Sequence, residues 1–303
     1  QANATIEEQG MRLVVISGRS GSGKSSALHV LEDLGFYCID NLPVALLPAL
    51  ARQTEIEEKL AKVAVSVDAR NLPHAFDNIH DVLHQLPSAE YQLDVVYLDA
   101  SEEVLLQRFS STRRKHPLTS KSVSLAEAID KERLLLEPIA NLADLTLDTT
   151  NMSVHELRSL IKLRVADKTS NDIAILFESF GFKHGIPIDA DYVFDVRNLP
   201  NPYWDPALRA FTGRDPEIRD FLAQEPQVSQ MQQDISGFIQ RWLPAFVDAN
   251  RSYMTIAIGC TGGQHRSVYL AEQLKAEFCH HYSNVQVRHR ELGSADIHQD
   301  QNG

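Results

Sequence analysis

A short β-branched run, Leu13 to Ser17, leads into Gly18-Arg19-Ser20-Gly21-Ser22-Gly23-Lys24-Ser25 and then into a helix-like stretch, Ser25 to Leu34. These residues satisfy G-x-x-x-x-G-K-[ST] at every fixed position, in the strand–loop–helix setting that gives the pattern its meaning. The physical demand behind it is narrow. Glycines let successive backbone N–H groups turn toward one point, and the positive end of the helix behind them favours an anion there. Lys24 is then expected to reach the β- and γ-phosphates of a bound ATP or GTP, and the Ser25 hydroxyl to bind Mg²⁺.

Further apolar runs at Val63–Val67, Val95–Leu98 and Leu145–Leu147 alternate with helix-like stretches such as Ala126–Leu136. That alternation predicts an α/β fold with a parallel sheet. The polar stretch Ala166 to Asp172 has linker composition, and a second alternation follows it: Ile173–Phe180, Tyr192–Val196, Thr255–Ile258 and Val285–Val287. Helices are expected at Gln227–Leu243, started by Pro226 and stopped by Pro244, and at Ser267–His280. The proline-rich region Asn198 to Asp215 suits a long surface loop. The expectation is a P-loop kinase-like parallel-sheet domain over 11–165 and a second α/β domain over 172–303. Gln1 to Gly10 is a polar extension left out of the fold.

A P-loop site also wants an acidic residue at a neighbouring strand end to hold Mg²⁺. Asp68 and Asp99 both qualify. Past Asp99, a helix start is followed by Arg108, Arg113 and Arg114, an order that suits either an arginine lid over phosphates or a solvated basic face. One segment echoes another. Asp68-Ala69-Arg70-Asn71-Leu72-Pro73 nearly repeats as Asp195-Val196-Arg197-Asn198-Leu199-Pro200. Either both copies are turn chemistry that ends a strand, or both mark the carboxyl edge of a sheet, where α/β folds bind ligands.

The run before Gly259 opens a second strand–loop–helix unit: Cys260-Thr261-Gly262-Gly263-Gln264-His265-Arg266-Ser267. Backbone N–H groups and Arg266 would cradle a phosphate. The spacing also matches the phosphate loop of cysteine-dependent phosphatases, where a thiolate attacks phosphorus. Here Gly259 precedes the cysteine where those enzymes usually carry histidine, and Cys260 suits a small buried residue at a strand end equally well. Lys183 and His184, in the basic loop after Phe180, could join Arg266 around an anion.

Composition sets outer limits. The 29 basic and 41 acidic residues give a net charge of −12, which argues against a general nucleic-acid coat but leaves room for a local RNA patch. The three cysteines, Cys38, Cys260 and Cys279, lie far apart, with no signal-like segment before them. A reduced cytoplasmic setting is expected. No apolar stretch approaches membrane-span length, so no membrane partner is expected.

Taken together, GRSGSGKS, GFYCIDNLP, DARNLP, TRRKHPL, FESFGFKHGIPIDADYVFDVRNLPNP and AIGCTGGQHRSVYLAEQL resemble the RapZ family of bacterial RNase adapter proteins, from Met11 to about Arg290. The resemblance implies a kinase-like N-terminal domain with weak ATPase and GTPase activity. ATP binding carries over to Gly18–Ser25, and guanine-nucleotide binding to Asp68, Ala69, Arg70 and Asn71. It implies a C-terminal domain that senses glucosamine-6-phosphate, a role that Cys260–Ser267 suits and to which His184 is added. It further implies that small regulatory RNA is bound and presented to RNase E, which lowers production of glucosamine-6-phosphate synthase, and that the protein is a homo-oligomer. Enteric members end in a basic tail. This chain has no Lys or Arg after Arg290, leaving Arg288, His289 and Arg290 as its terminal basic cluster. Fewer cations should mean weaker, less salt-sensitive RNA binding. Two other activities fit the residues: a small-metabolite kinase at the P-loop, and a phosphatase at Cys260.

Overall fold

The computed structural model describes residues 11–292 except 57–60, 71–77, 87–90, 113–114, 169–171 and 250. The chain divides between Asp167 and Lys168 into two compact units.

In the first unit, β1 (Met11–Gly18) is the middle strand of a five-stranded sheet. Its partners are β2 (Tyr37–Ile39), β3 (Lys62–Ser66), β4 (Tyr91–Asp99) and β5 (Leu145–Asp148), in the order β2-β3-β1-β4-β5, all parallel. Leu13, Val14, Val15 and Ile16 are all buried, so β1 is covered on both faces, as a central parallel strand must be. Inside that apolar sheet, Arg12 of β1 reaches across to Asp94 of β4 at 3.0 Å.

The helices are set by local chemistry as well as by their apolar faces. α1 (Lys24–Asp33) starts at the phosphate loop, α2 (Leu47–Ile56) follows β2 and α3 (Ile79–His84) follows β3. α5 (Leu125–Asn141) and α6 (Val154–Ile161) both begin with reciprocal caps, Ser124 with Glu127 and Ser153 with Glu156. Each such cap contributes about 1 kcal/mol by satisfying N–H groups that a helix start leaves open. α4 (Glu102–Thr112) carries acidic residues in its first turn, where the helix dipole favours them.

The second unit holds a four-stranded sheet: β6 (Ala174–Gly181), β7 (Tyr192–Asp195), β8 (Tyr253–Cys260) and β9 (Val285–His289). Its order is β7-β8-β6-β9, again all parallel. β6 and β8 are buried at every position, whereas β7, at the sheet edge, is exposed at every second residue. α7 (Pro216–Ala223), α8 (Pro226–Asp248) and α9 (Arg266–Phe278) complete the unit.

α8 corrects one expectation. Pro226 starts it, but Pro244 lies inside it and the helix runs on to Asp248. An interior proline forfeits a backbone hydrogen bond. Here the last turn is held by packing on both sides of it: Leu243 is buried in the core, and Phe246 sits 5.7 Å from the Tyr192 ring. Among the described residues no helix is long and apolar enough to cross a membrane. Parallel strands bring their carboxyl ends to one edge, and in each unit a glycine loop leaves that edge for a helix.

Candidate functional site

The first loop is built so that glycine is required. Gly18 has φ +142°, and a Cβ there would lie 2.0 Å from the Leu98 carbonyl oxygen of the next strand. Gly23 has φ +112°, and a Cβ there would lie 2.5 Å from the Leu157 side chain. The loop thus presses against the backbone of β4 on one side and α6 on the other.

Lys24 Nζ curls back to donate to the Gly18 and Arg19 carbonyls at 2.7 and 3.2 Å. Burial lowers its pKa, while the carboxylates of Glu132 and Asp68 pull the other way. Ser20 donates both its N–H and its hydroxyl to Glu132, at 2.9 and 2.6 Å. Glu132 is fully buried and also pairs with His116 Nε2 at 2.9 Å. Burial pushes that carboxyl upward, but the hydrogen bonds from His116 and Ser20, with the Lys24 charge, outweigh it and hold the pKa below the ordinary range.

The opposite wall is also hydrogen-bonded to the loop. Arg108 donates to the Gly21 carbonyl at 3.0 Å and to the Thr149 carbonyl at 2.6 Å, and the Thr149 hydroxyl donates to the Ser22 carbonyl at 2.9 Å. The Ser22 hydroxyl is buried with no partner. A cleft of about 880 Å³ opens over Ser20 to Ser25. Asp68, Arg70, Arg108 and Thr149 line it, and Phe109, Met152, Val154 and Leu157 supply an apolar part of the kind a nucleobase needs.

Arg19 has a different role from its neighbours. Its side chain donates to Asp99 at 2.6 Å and to the Ala100 carbonyl at 2.5 Å, fastening the loop to the end of β4. Asp99 is not among the cleft-lining residues, whereas Asp68, which follows β3, lines the cleft with Ser25; these two are hard oxygen donors of the kind that suit Mg²⁺. Arg70 grips Asp68 through Nε at 3.0 Å and NH2 at 2.6 Å. Burial pushes the Asp68 pKa upward, but the Arg70 hydrogen bonds and the Lys24 charge outweigh it and lower it. Ala69 is buried beside it. Asn71, Arg113 and Arg114 lie outside the described residues.

The second copy of the echo repeats this fork. Arg197 grips Asp195 through Nε at 3.0 Å and NH2 at 2.7 Å, at the end of β7. Both forks stand at the carboxyl edge of a sheet, each beside a glycine loop.

In the second unit the loop from Cys260 to Ser267 encloses the cysteine sulfur. The Gly263 N–H donates to Sγ at 3.2 Å, and the Ser267 hydroxyl stands 3.2 Å away. Burial raises the thiol pKa, but the Ser267 hydroxyl and the backbone N–H groups of Ser267, Gly263 and His265 outweigh it and lower it. Gly263, at φ +74°, has no room for a side chain: a Cβ would lie 2.4 Å from Glu291 Cγ and 2.5 Å from the Gly181 nitrogen. Gly262 faces Lys183, whose Nζ would stand 3.9 Å from a Cβ placed there. Gly259 carries no histidine because Phe180 and Phe182 fill the space, with ring atoms 2.4 and 2.5 Å from a Cβ position.

Arg266 is buried at 4% exposure. Its NH1 donates to the carbonyls of Arg197 and Leu199 at 2.7 and 2.9 Å, and NH2 lies 3.4 Å from the Thr261 hydroxyl. Its Nε has no hydrogen-bond partner. His265 turns away to the Phe211 carbonyl at 2.8 Å, and burial lowers its pKa. His184 lies 3.6 Å from Glu291, at the rim of the loop.

The terminal basic cluster does not form one patch. Arg288 pairs with the buried Glu178 at 2.6 Å. His289 is held between Ser179, at 2.8 Å from Nδ1, and Glu272, at 2.9 Å from Nε2. Arg290 remains at the surface, with NH1 3.5 Å from the Gly185 carbonyl.

Glu132, His116 and Thr149 are the site residues that sequence reasoning missed. Each acts across a long sequence separation, and the one available signal was His116 inside TRRKHPL.

Models of the RapZ-like N-terminal domain and the RapZ C-terminal domain match residues 11–169 and 173–293. A protein of Marinobacter nauticus described as "Nucleotide-binding protein" is 58% identical over 285 residues, covering 93% of this chain and 97% of its own. One of Hahella chejuensis with the same description is 54% identical over 284 residues, covering 93% and 99%. Among solved structures, a sugar kinase from Janibacter aligns with a TM-score of 0.35 at 22% identity, covering 52% of this chain and 96% of its own. With both halves matched by the two domain models, and with relatives more than half identical along nearly their whole length, the chain belongs to the RapZ family.

Proposed function

We propose that this protein is a nucleotide-binding regulatory adapter. The N-terminal domain, residues 11–165, binds ATP or GTP with Mg²⁺ and hydrolyses it weakly. The C-terminal domain, residues 172–303, binds glucosamine-6-phosphate on the Cys260–Ser267 loop, with His184 at its rim. It also takes up small regulatory RNA, which it presents to RNase E to control glucosamine-6-phosphate synthase. The protein works in the cytoplasm as a homo-oligomer.

The observation that carries the nucleotide reading is the cleft over Ser20 to Ser25, where loop, lysine, Arg108 and an apolar end meet. The relatives' shared description supports it. Lys24 and the loop N–H groups would hold the phosphates. Ser25 and Asp68 would hold Mg²⁺, whose bound charge offsets that of the phosphates. Guanine-nucleotide contact is assigned to Asp68, Ala69, Arg70 and Asn71. RNA contact, assigned to Arg288, His289 and Arg290, falls chiefly to Arg290, since the other two are held inside the unit.

Calorimetric titration with ATP and GTP tests this. The parent protein binds at least one of them in a Mg²⁺-dependent manner, and Lys24→Ala, which removes the cation facing the phosphates, does not. Equal affinity in the two proteins would overturn the assignment.

A further inference from the structure

We propose that Cys260 is a nucleophile, and that the Cys260–Ser267 loop slowly hydrolyses phosphate monoesters through a cysteinyl-phosphate. The inference rests on the reading of this loop as a phosphate site and adds chemistry to it.

Three observations converge. First, hydrogen-bonding groups surround the sulfur. The Gly263 N–H points at it, and the Ser267 hydroxyl stands 3.2 Å away. A neutral thiol accepts such hydrogen bonds only weakly, whereas a thiolate is strongly stabilised by them. The lowered thiol pKa agrees with this.

Second, the guanidinium of Arg266 is divided in use. NH1 is anchored on two backbone carbonyls. On the Nε–NH2 edge, NH2 lies 3.4 Å from the Thr261 hydroxyl and the guanidinium also bonds the Cys260 side chain, while Nε is buried with no hydrogen-bond partner. A buried donor left open is costly. Two parallel N–H groups on one edge are the fork that two oxygens of a phosphate fill. The residue that presents this fork lies six positions after the cysteine, on the first turn of α9.

Third, the sulfur sits at the end of β8, on the sheet edge from which the loop leaves. The loop whose N–H groups and Arg266 would seat a phosphate therefore begins at this sulfur, which is 3% exposed.

The chemistry balances without a further reactant. The thiolate forms an S–P bond as the ester P–O bond breaks, and the proton of the monoanionic phosphate passes to the leaving oxygen as the alcohol departs. Water then attacks phosphorus, the S–P bond breaks, and thiolate and dihydrogen phosphate are released. No dedicated acid is invoked for the leaving group, so turnover is slow.

Phosphate release from p-nitrophenyl phosphate and from glucosamine-6-phosphate is to be compared for the full-length parent, Cys260→Ser and Ser267→Ala. Binding of glucosamine-6-phosphate is to be measured on each by calorimetry. The parent should release phosphate and, after acid quench, carry one phosphoryl group on the Cys260 peptide by mass spectrometry. Cys260→Ser should bind the sugar phosphate but release phosphate only at background rate. Ser267→Ala should be slowed about tenfold or more through loss of a charge-assisted hydrogen bond. Binding by the parent with no release above Cys260→Ser overturns the proposal while leaving the phosphate site standing. Absence of binding in the parent overturns both.

Discussion

Glu132 takes both polar hydrogens of Ser20, the N–H at 2.9 Å and the hydroxyl at 2.6 Å, from a fully buried position on α5. The tip of the phosphate loop is therefore set by a residue more than a hundred positions away, itself pinned by His116. Replacing Glu132 by Ala leaves the two half-buried donors of Ser20 and the buried His116 ring unmatched and should lower stability by about 1–3 kcal/mol, read as a lower melting temperature. The pH dependence has a definite sign. Because the folded-state pKa is depressed, the contribution is full above the ordinary glutamate range and is lost as pH falls through the folded value. The gap between parent and Glu132→Ala should be widest near neutrality and close only in acid.

Asp68 and Asp99 should separate cleanly in a metal-removal experiment. Asp68→Asn should reduce ATP affinity in Mg²⁺ to the level seen with chelator. Asp99→Asn should keep the Mg²⁺ effect but lower stability by about 1.5–3 kcal/mol, because it releases Arg19 from a charged hydrogen bond. Calorimetry with and without EDTA, paired with thermal melts, reads both.

Arg266→Gln should weaken glucosamine-6-phosphate binding by about 1.5–3 kcal/mol. Arg266→Lys should not restore it, since a single ammonium cannot present two parallel donors while anchoring the carbonyls of Arg197 and Leu199. Titration calorimetry on the two variants is the check.

For RNA, the two flanking arginines should behave differently. Arg290→Gln should reduce retention of a hairpin-rich regulatory RNA in a mobility-shift assay without a change in melting temperature. It should also flatten the salt dependence by about 0.7 in the logarithmic slope for each phosphate no longer neutralised. Arg288→Gln should instead cost stability, about 2 kcal/mol, by breaking the pair with buried Glu178. Equal effects of both on RNA would place the binding surface elsewhere.

Most of the framework was legible because it is written locally. β1, β3 and β4 announce themselves as runs rich in β-branched residues and β5 as a short apolar one, and the phosphate loop follows from glycines whose positions geometry forbids to any other residue. β2 was missed because three residues carry no period. Pro244 misled because the loss of one backbone hydrogen bond is visible in sequence, while the packing of Leu243 and Phe246 that offsets it is not. Arg288 and His289 read as a basic patch because Glu178 and Glu272, their partners, are distant in the chain. Arg19 was indistinguishable from its loop neighbours for the same reason.

β1 precedes every other strand of its sheet in synthesis, yet it ends up between β3 on one side and β4 on the other, and its loop is braced by Leu98, Arg108, Glu132 and Thr149. A nascent chain still inside the ribosome therefore carries the whole Gly18–Ser25 motif long before it carries the walls that shape it. Competence to hold an anion should therefore arrive only when Leu157 of α6, the last of these walls in the chain, has cleared the exit tunnel. Nascent chains halted before and after that point should differ in anion uptake as an unfinished vessel differs from a sealed one.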